Sequence, residues 1–274
     1  PEAITKHSQL KTPSTKYVFL EEENMPRVDA YLVAGGKYHD INFARLELLK
    51  LMHADDDLRV CVADNYHDIE AIKAADFLIS YTCDVRPTAE EEVVLNDFVA
   101  SGKRWFALHA TNSIIEFTAE GVDCPRVCGT LMETLGSQFI SHPEIEPYEV
   151  EIVQPEHPLV AGIEPFSTTD ELYCSELHGE LNVLMQTFYN GNGGGFVEND
   201  WQNDDPRPVM YLHPVGEGEV LYLTLGHARS KYDMQPVMEE YPMVERGSWE
   251  VPAYYELLRR GINWAKEPTL KSKS

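Results

Sequence analysis

The chain has 274 residues, 43% hydrophobic and 10% aromatic, an ordinary globular composition that excludes an intrinsically disordered protein and is enough for one sizeable core. Its 46 aspartates and glutamates against 22 lysines and arginines give a formal net charge of −24, so polyphosphates and anionic bilayers would be repelled, and neither nucleic acid nor membrane is an expected partner. No uninterrupted apolar run approaches the length of a bilayer span, and none has the form of a secretory leader.

Residues 1–25 are polar and aperiodic and read as an N-terminal arm. VDAYLVAGG then reads as a first strand closed by Gly35 and Gly36, and a helix is expected from about Ile41, with Ala44, Leu48, Leu51 and Met52 on one face. LRVCVAD (58–64) and DFLISYT (76–82) are further strands, with a short helix over HDIEAIKAA between them. Thr88 and Glu91 have the spacing of a capping box and open a helix that turns Val94, Leu95, Phe98 and Val99 inward. KRWFALH is the fourth strand, ending in His109 and a small-residue stretch that reads as the opening of another helix. Strands alternating with helices at this spacing predict a parallel sheet with right-handed crossovers.

The second half changes character. YEVEIV (148–153), STTDELY (167–173) and LNVLMQTF (181–188) read as strands without intervening helices. GNGGG (191–195) and NDDPRP (203–208) mark an acidic loop. PVMYLHPVGEGEVLYLTLGH (208–227) reads as a hairpin whose second strand ends in Gly226-His227, and Pro252 opens a last helix. The expected organisation is an arm over 1–25, one domain over 26–267 and a tail over 268–274, with antiparallel strands appended to a parallel α/β core.

The candidate chemistry gathers at strand ends, because ligands of parallel α/β sheets sit beyond the carboxyl ends of the strands. His109 occupies a strand-to-helix elbow, where the positive end of the following helix would favour a neutral ring able to accept a proton. His227 ends the last strong strand, so both histidines are expected on one rim. Tyr38 and His39 follow the first strand, and Asp40 reads as a helix cap. His142, in SHPE, lies on a loop stiffened by the proline after it. Asp170 and Glu171 are adjacent, so on a strand only one could share a face with the site. Several histidines plus a carboxylate suit a divalent metal such as Zn, for which His142 and His227 are the candidates, although no pair has HxH or HxxxH spacing. No nucleotide is expected, since neither GxGxxG nor GxxxxGK[ST] occurs, and Ser-His-Asp catalysis lacks GxSxG, with Ser113 placed inside the helix. The five cysteines (Cys61, Cys83, Cys124, Cys128 and Cys174) match no disulfide framework and read as reduced in a cytoplasmic protein. Cys124 and Cys128 form a CxxxC without a second ligand pair and read as packing.

GGKYHD, the capping-box helix before GKRWFALHAT, SHPE, EHPLVAGI, TDELY and GEGEVLYLTLGH occur in that order over residues 27 to 266. In this the sequence resembles the trehalose-utilization (ThuA-like) family. The resemblance implies a flavodoxin-like, class I glutamine amidotransferase-like α/β fold, expected as a three-layer sandwich, and a role in carbohydrate metabolism through 3-keto sugars. It also implies site roles for His39, His109, His142, His227, Asp170 and Glu171. True amidotransferases of the superfamily carry a cysteine at the elbow, where this chain has His109, so glutamine hydrolysis is not expected. The acidic loop 198–205 and the Glu239–Glu250 insertion depart from the commoner family pattern and are expected to shape the pocket rim.

The leading expectation is an enzyme acting on a keto-sugar or keto-glycoside. His109 or His227 would be the base, the other histidine or a metal would stabilise the enediolate, and Tyr38 and Tyr173 would be placed to stack on a sugar. Isomerisation, epimerisation and elimination are all compatible with that step. A non-catalytic carbohydrate-binding or regulatory protein and a metal-dependent hydrolase are the alternatives. Tyr232, Tyr241, Trp249 and Tyr254, read as exposed, would offer a homo-oligomer contact.

Overall fold

The computed structural model of the chain describes residues 27–273, so the arm expected over 1–25 lies outside the described residues. The first half runs β1 (Val28–Gly36), α1 (Ile41–His53), β2 (Leu58–Ala63), α2 (Ile69–Ala74), β3 (Phe77–Cys83), α3 (Ala89–Ala100) and β4 (Arg104–Leu108), in the predicted alternation. Its helices begin where side chains cap them. Asp40 accepts the Phe43 N–H at 3.2 Å, and Asp68 accepts that of Ala71 at 3.0 Å. The capping box of α3 is complete: Thr88 Oγ1 accepts the Glu91 N–H at 3.3 Å, and Glu91 Oε2 accepts the Thr88 N–H at 2.8 Å.

After β4 the chain does not form the expected helix. It makes one 3-10 turn, His109–Asn112, and Ser113 already has extended backbone. Side-chain bonds replace the helical ladder here. Thr111 Oγ1 donates to the Leu108 carbonyl at 2.8 Å, the Asn112 N–H donates to the Tyr222 hydroxyl at 2.9 Å, and Asn112 Nδ2 donates to Ser137 Oγ at 2.7 Å.

The second half comprises β5 (Glu116–Phe117), β6 (Val122–Asp123), α4 (Gly129–Leu135), β7 (Ser137–Ser141), β8 (Pro147–Ile152), β9 (Phe166–Thr169), β10 (Cys174–Leu177), β11 (Asn182–Phe188), β12 (Gly191–Asn192), β13 (Asp200–Trp201), β14 (Pro206–Val215), β15 (Gly218–Leu223) and α5 (Pro252–Lys273). The main sheet has nine strands in the order β2-β1-β3-β4-β15-β14-β11-β8-β9. Its first five are parallel and the rest antiparallel, a mixed α/β sheet with few helices.

Alternation along the strands separates two apolar clusters. Leu32 and Ala34 of β1 pack with Leu48 of α1 and with Leu257 and Leu258 of α5, whereas Tyr31 and Val33 pack with Leu95 and Phe98 of α3 and with Leu131 of α4. Among the described residues no helix is long and apolar enough to cross a membrane.

Four expectations need correction. The STTDELY strand stops at Thr169, so Asp170 and Glu171 lie on a turn and the alternation argument does not apply to them. The last strand of the hairpin ends at Leu223, which frees Thr224 to His227 as a turn. The tail boundary at 268 falls inside α5, which runs on to Lys273. Trp249 and Tyr254, expected on the surface, are buried at 4% and 0% exposure because α5 folds them against the sheet; Tyr232 is exposed.

Candidate functional site

Three parallel strands deliver histidines to one rim. His39 follows β1, His109 follows β4 and His227 follows the β15 turn, while β1 and β3 flank the point where the strand order reverses, the usual ligand position in open α/β sheets. The ring centroids of His39 and His109 stand 4.7 Å apart, those of His39 and His227 5.3 Å, and those of His109 and His227 5.9 Å. His39 and His109 both have left-handed backbone, with φ of 72° and 44°. Each costs about 1–3 kcal/mol in a residue with a side chain, strain of the kind that concentrates at functional sites. The elbow at His109 is therefore strained, but the helix dipole expected to act on its ring is absent. Its Nδ1 instead donates to the Thr224 carbonyl at 2.8 Å, so Nε2 carries the lone pair, with the Tyr173 hydroxyl 3.4 Å from it.

Glu171 lies among these rings. Its Oε2 is 3.4 Å from His109 Nε2, and its Oε1 is 2.9 Å from His227 Nδ1, 3.7 Å from His142 Nε2 and 3.5 Å from Arg229 Nη2. Burial alone would raise its carboxyl, but the surrounding imidazoles, His227 first among them, outweigh this and hold it well below the usual carboxylate range. Burial pushes the His39 ring down and keeps it neutral. For His227 burial acts in the same sense, yet the Glu171 and Glu245 carboxylates overcome it and raise the ring to about 9. Glu245 Oε2 accepts from His227 Nε2 at 2.7 Å.

Asp170, next to Glu171, points the other way and organises backbone. It accepts N–H groups from Gly226 at 3.0 Å, His227 at 3.1 Å, Ser248 at 2.8 Å and Glu171 at 2.8 Å. Tyr81 and Trp249 both donate to the Gly226 carbonyl at 2.8 Å, so the turn carrying His227 is held from several sides.

A cavity of about 240 Å³ opens beside this cluster. Tyr38, Phe117, Phe139, Tyr173 and Phe196 wall it, and His39, His142, Glu171 and Arg229 supply its polar groups. His109 and His227 are fully buried and do not line it. Of the residues expected from the sequence, Tyr38, His39, His142, Glu171 and Tyr173 line the cavity, whereas Asp170 serves the scaffold. One nitrogen from each of His39, His109 and His227 and a carboxylate oxygen of Glu171 lie within 4.8 Å of one another, so these four residues have the placement to hold a metal ion. His142, paired with His227 in the sequence reading, stands at the edge of that group beside Glu171. Arg229, Glu245, Phe139 and Phe196 have no sequence signal: they come from loops or from aromatic positions that periodicity assigns to packing.

The ThuA family, described as trehalose utilisation, matches residues 30–241. No curated protein sequence matches the chain. Among solved structures, a protein from Bacteroides uniformis described as ThuA-like superposes with a TM-score of 0.61 at 17% identity, covering 90% of this chain and 95% of that one. Another described as ThuA-like, from Parabacteroides merdae, gives 0.56 at 14% identity over 87% and 90%. A protein from Salmonella typhimurium described as cytoplasmic gives 0.50 at 12% identity over 87% and 98%. The match spans well over half of the sequence and contains every residue that lines the cavity, so the chain belongs to the ThuA, or trehalose-utilisation, family.

Proposed function

We propose that the chain is a carbohydrate-metabolism enzyme that moves a proton next to the carbonyl of a keto-sugar or keto-glycoside. The observation that carries this reading is the aromatic-walled cavity with His142, Glu171 and Arg229 on its polar side. Aromatic faces suit the C–H faces of a sugar ring. At about 240 Å³ the cavity lies just below the range of roughly 300–1,000 Å³ usual for ligand pockets, and it fits one sugar ring better than a disaccharide.

His142 is the base in this reading, in place of His109 or His227. Its Nδ1 donates to the Pro143 carbonyl at 2.6 Å, so Nε2 carries the lone pair, and unlike the two deeper rings it borders the cavity. The carbonyl acidifies the neighbouring C–H, whose proton passes to His142 Nε2 while Arg229 stabilises the charge developing on the carbonyl oxygen. Protonation of the same carbon from the opposite face by a second acid, such as solvent water, gives epimerisation; return of the proton by His142 to the former carbonyl carbon, with the neighbouring hydroxyl proton passing to the carbonyl oxygen, gives isomerisation. His109 and His227 then act from behind by positioning Glu171. Glutamine hydrolysis has no nucleophile here: burial drives the nearby Cys83 thiol up, away from the thiolate such chemistry needs. We read the fold as a flavodoxin-like three-layer sandwich, and with all five cysteines free we place the chain in the cytoplasm.

The test is proton NMR of 3-keto-glucose and 3-keto-trehalose in D2O. Deuterium entering next to the carbonyl faster than in an enzyme-free control, and no longer doing so with His142→Ala, is the expected result. Saturable binding without exchange would replace this reading with that of a non-catalytic carbohydrate-binding protein, and neither exchange nor binding would remove the sugar assignment.

A further inference from the structure

We propose that His39, His109, Glu171 and His227 bind a single divalent first-row transition-metal ion, with Zn2+ the best fit. This goes beyond the keto-sugar reading and stands whether or not that reading holds.

Spacing is the first ground. Tetrahedral donors about 2.1 Å from zinc stand about 3.4 Å from one another. His109 Nε2 and Glu171 Oε2 are 3.4 Å apart, His227 Nδ1 and Glu171 Oε1 are 2.9 Å apart, and the full donor set lies within 4.8 Å. All four residues are buried, at 6%, 0%, 4% and 0% exposure in chain order.

Orientation is the second. Metal-binding histidines almost always donate their other ring N–H to a carbonyl or carboxylate, which fixes the tautomer and aims the free nitrogen. His109 does so through Nδ1 to the Thr224 carbonyl, which leaves the Nε2 lone pair 3.4 Å from Glu171 Oε2, with the Tyr173 hydroxyl also 3.4 Å away. His227 does so through Nε2 to Glu245, leaving Nδ1 open toward Glu171.

The third ground is what the open nitrogens lack. His227 Nδ1 is buried without a hydrogen-bond partner although Glu171 is 2.9 Å away, because the two atoms are not aligned for a bond; His39 Nδ1 is buried and unpartnered as well. A plain network of imidazoles and a carboxylate would turn N–H groups onto oxygen, since a buried polar atom left unpaired is costly. A bound metal ion displaces the Nδ1 proton of His227, and lone pairs converging on a common point then need no such alignment. The left-handed backbone of His39 and His109 brings two of the rings to that point.

Donor chemistry selects the ion. Three imidazoles with one carboxylate suit zinc, iron or nickel, whereas calcium and magnesium take oxygen ligands. The set differs from the His142 and His227 pair read from the sequence by adding His39, His109 and Glu171. His142 remains outside it, on the cavity side of Glu171.

The test is metal content and metal uptake, read without any substrate. The full chain, purified and dialysed, is expected to carry about one zinc per chain by mass spectrometry. After stripping with a chelator it should take up Co2+ to one equivalent, with visible ligand-field bands of a four- or five-coordinate site and a rise in Tm. Glu245→Gln changes a partly exposed residue that orients His227, and it should weaken Co2+ binding by about 10–100-fold. Glu171→Gln, of nearly the same shape, should abolish stoichiometric uptake, while His142→Ala should bind Co2+ as the wild type does. Stripped wild-type protein that remains folded by circular dichroism yet takes up neither Zn2+ nor Co2+ would overturn the proposal. So would a folded Glu171→Gln variant that binds as tightly as the wild type.

Discussion

Asp170 accepts the backbone N–H of His227 at 3.1 Å, and through this bond the turn carrying Glu171 and the turn carrying His227 become one unit. Gly226, Ser248 and Glu171 add three more N–H groups to the same carboxylate, which is itself 1% exposed. Asp170→Ala removes the acceptor and leaves these buried donors unpaired. It should destabilise the protein on the order of 3–5 kcal/mol, measured by urea unfolding. Asp170→Asn keeps one oxygen acceptor and should recover part of that loss. A change under about 1 kcal/mol for the alanine variant would mean that Tyr81 and Trp249 hold the Gly226 turn by themselves.

This relationship also shows where the sequence stops being informative. The alternation of β1 to β4 with α1 to α3 is legible because strand and helix periods and caps such as Thr88–Glu91 are local. The strand-end rule likewise puts His109 and His227 on one rim, and their ring centroids stand 5.9 Å apart. Asp170 and Glu171 read from the sequence as strand neighbours, but β9 ends at Thr169 because Asp170 bonds to turns far along the chain, which no residue beside it signals. The helix expected after β4 fails for a similar reason, since Tyr222 and Ser137, from other elements, bond the Asn112 backbone and side chain. Trp249 sits in an irregular stretch where no period marks the buried face, whereas Tyr254 shares the apolar face of the last helix with Leu257, Leu258, Ile262 and Ala265, a period that points it inward against its reading as a surface contact. Glu245 and Arg229 meet across a loop bridge between Arg229 and Glu245, a pairing without any pattern in sequence.

The capping box gives a pH prediction. Burial would raise the Glu91 carboxyl, but the Thr88 N–H and His67 outweigh it and hold it below its ordinary value of 4.5. The folded state therefore takes up this proton less readily than the unfolded chain. The stabilisation is complete above about pH 4.5 and is lost as the pH falls through the lower, folded value. Glu91→Gln should cost about 1 kcal/mol near neutral pH and converge on wild-type stability in acid, as followed by urea midpoints across that range. A gap that stays constant with pH would show that the carboxylate charge contributes nothing.

If His142 is the base, its loss should be a loss of turnover. Nε2 faces the cavity with Nδ1 tied to Pro143, so His142→Ala should lower kcat for carbon-bound hydrogen exchange by about 10²–10⁴ while KM moves little. Phe196→Ala removes a wall that meets the His142 ring at a centroid distance of 5.0 Å, and it should act mainly on KM. The reverse pattern would assign His142 to binding and return the base to one of the deeper histidines.

Gly226 tests whether the turn must be built as it is. Its φ is +125°, and a Cβ there would fall 2.3 Å from the Tyr254 hydroxyl oxygen, at the start of α5, where the packed core leaves the phenol no room to retreat. Gly226→Ala should therefore push the backbone instead, displacing His227 and the N–H groups that Asp170 accepts. We expect a destabilisation of about 1–3 kcal/mol together with weaker Co2+ uptake. Gly129 is the matching control. It opens α4, has no neighbour within 4 Å of an added Cβ, and does not have left-handed backbone. Gly129→Ala should leave metal uptake unchanged and raise stability by up to about 1 kcal/mol through helix propensity. Equal effects from the two substitutions would show that the Gly226 turn tolerates a side chain, and His227 would then owe its position to Glu171 and Glu245 rather than to the backbone.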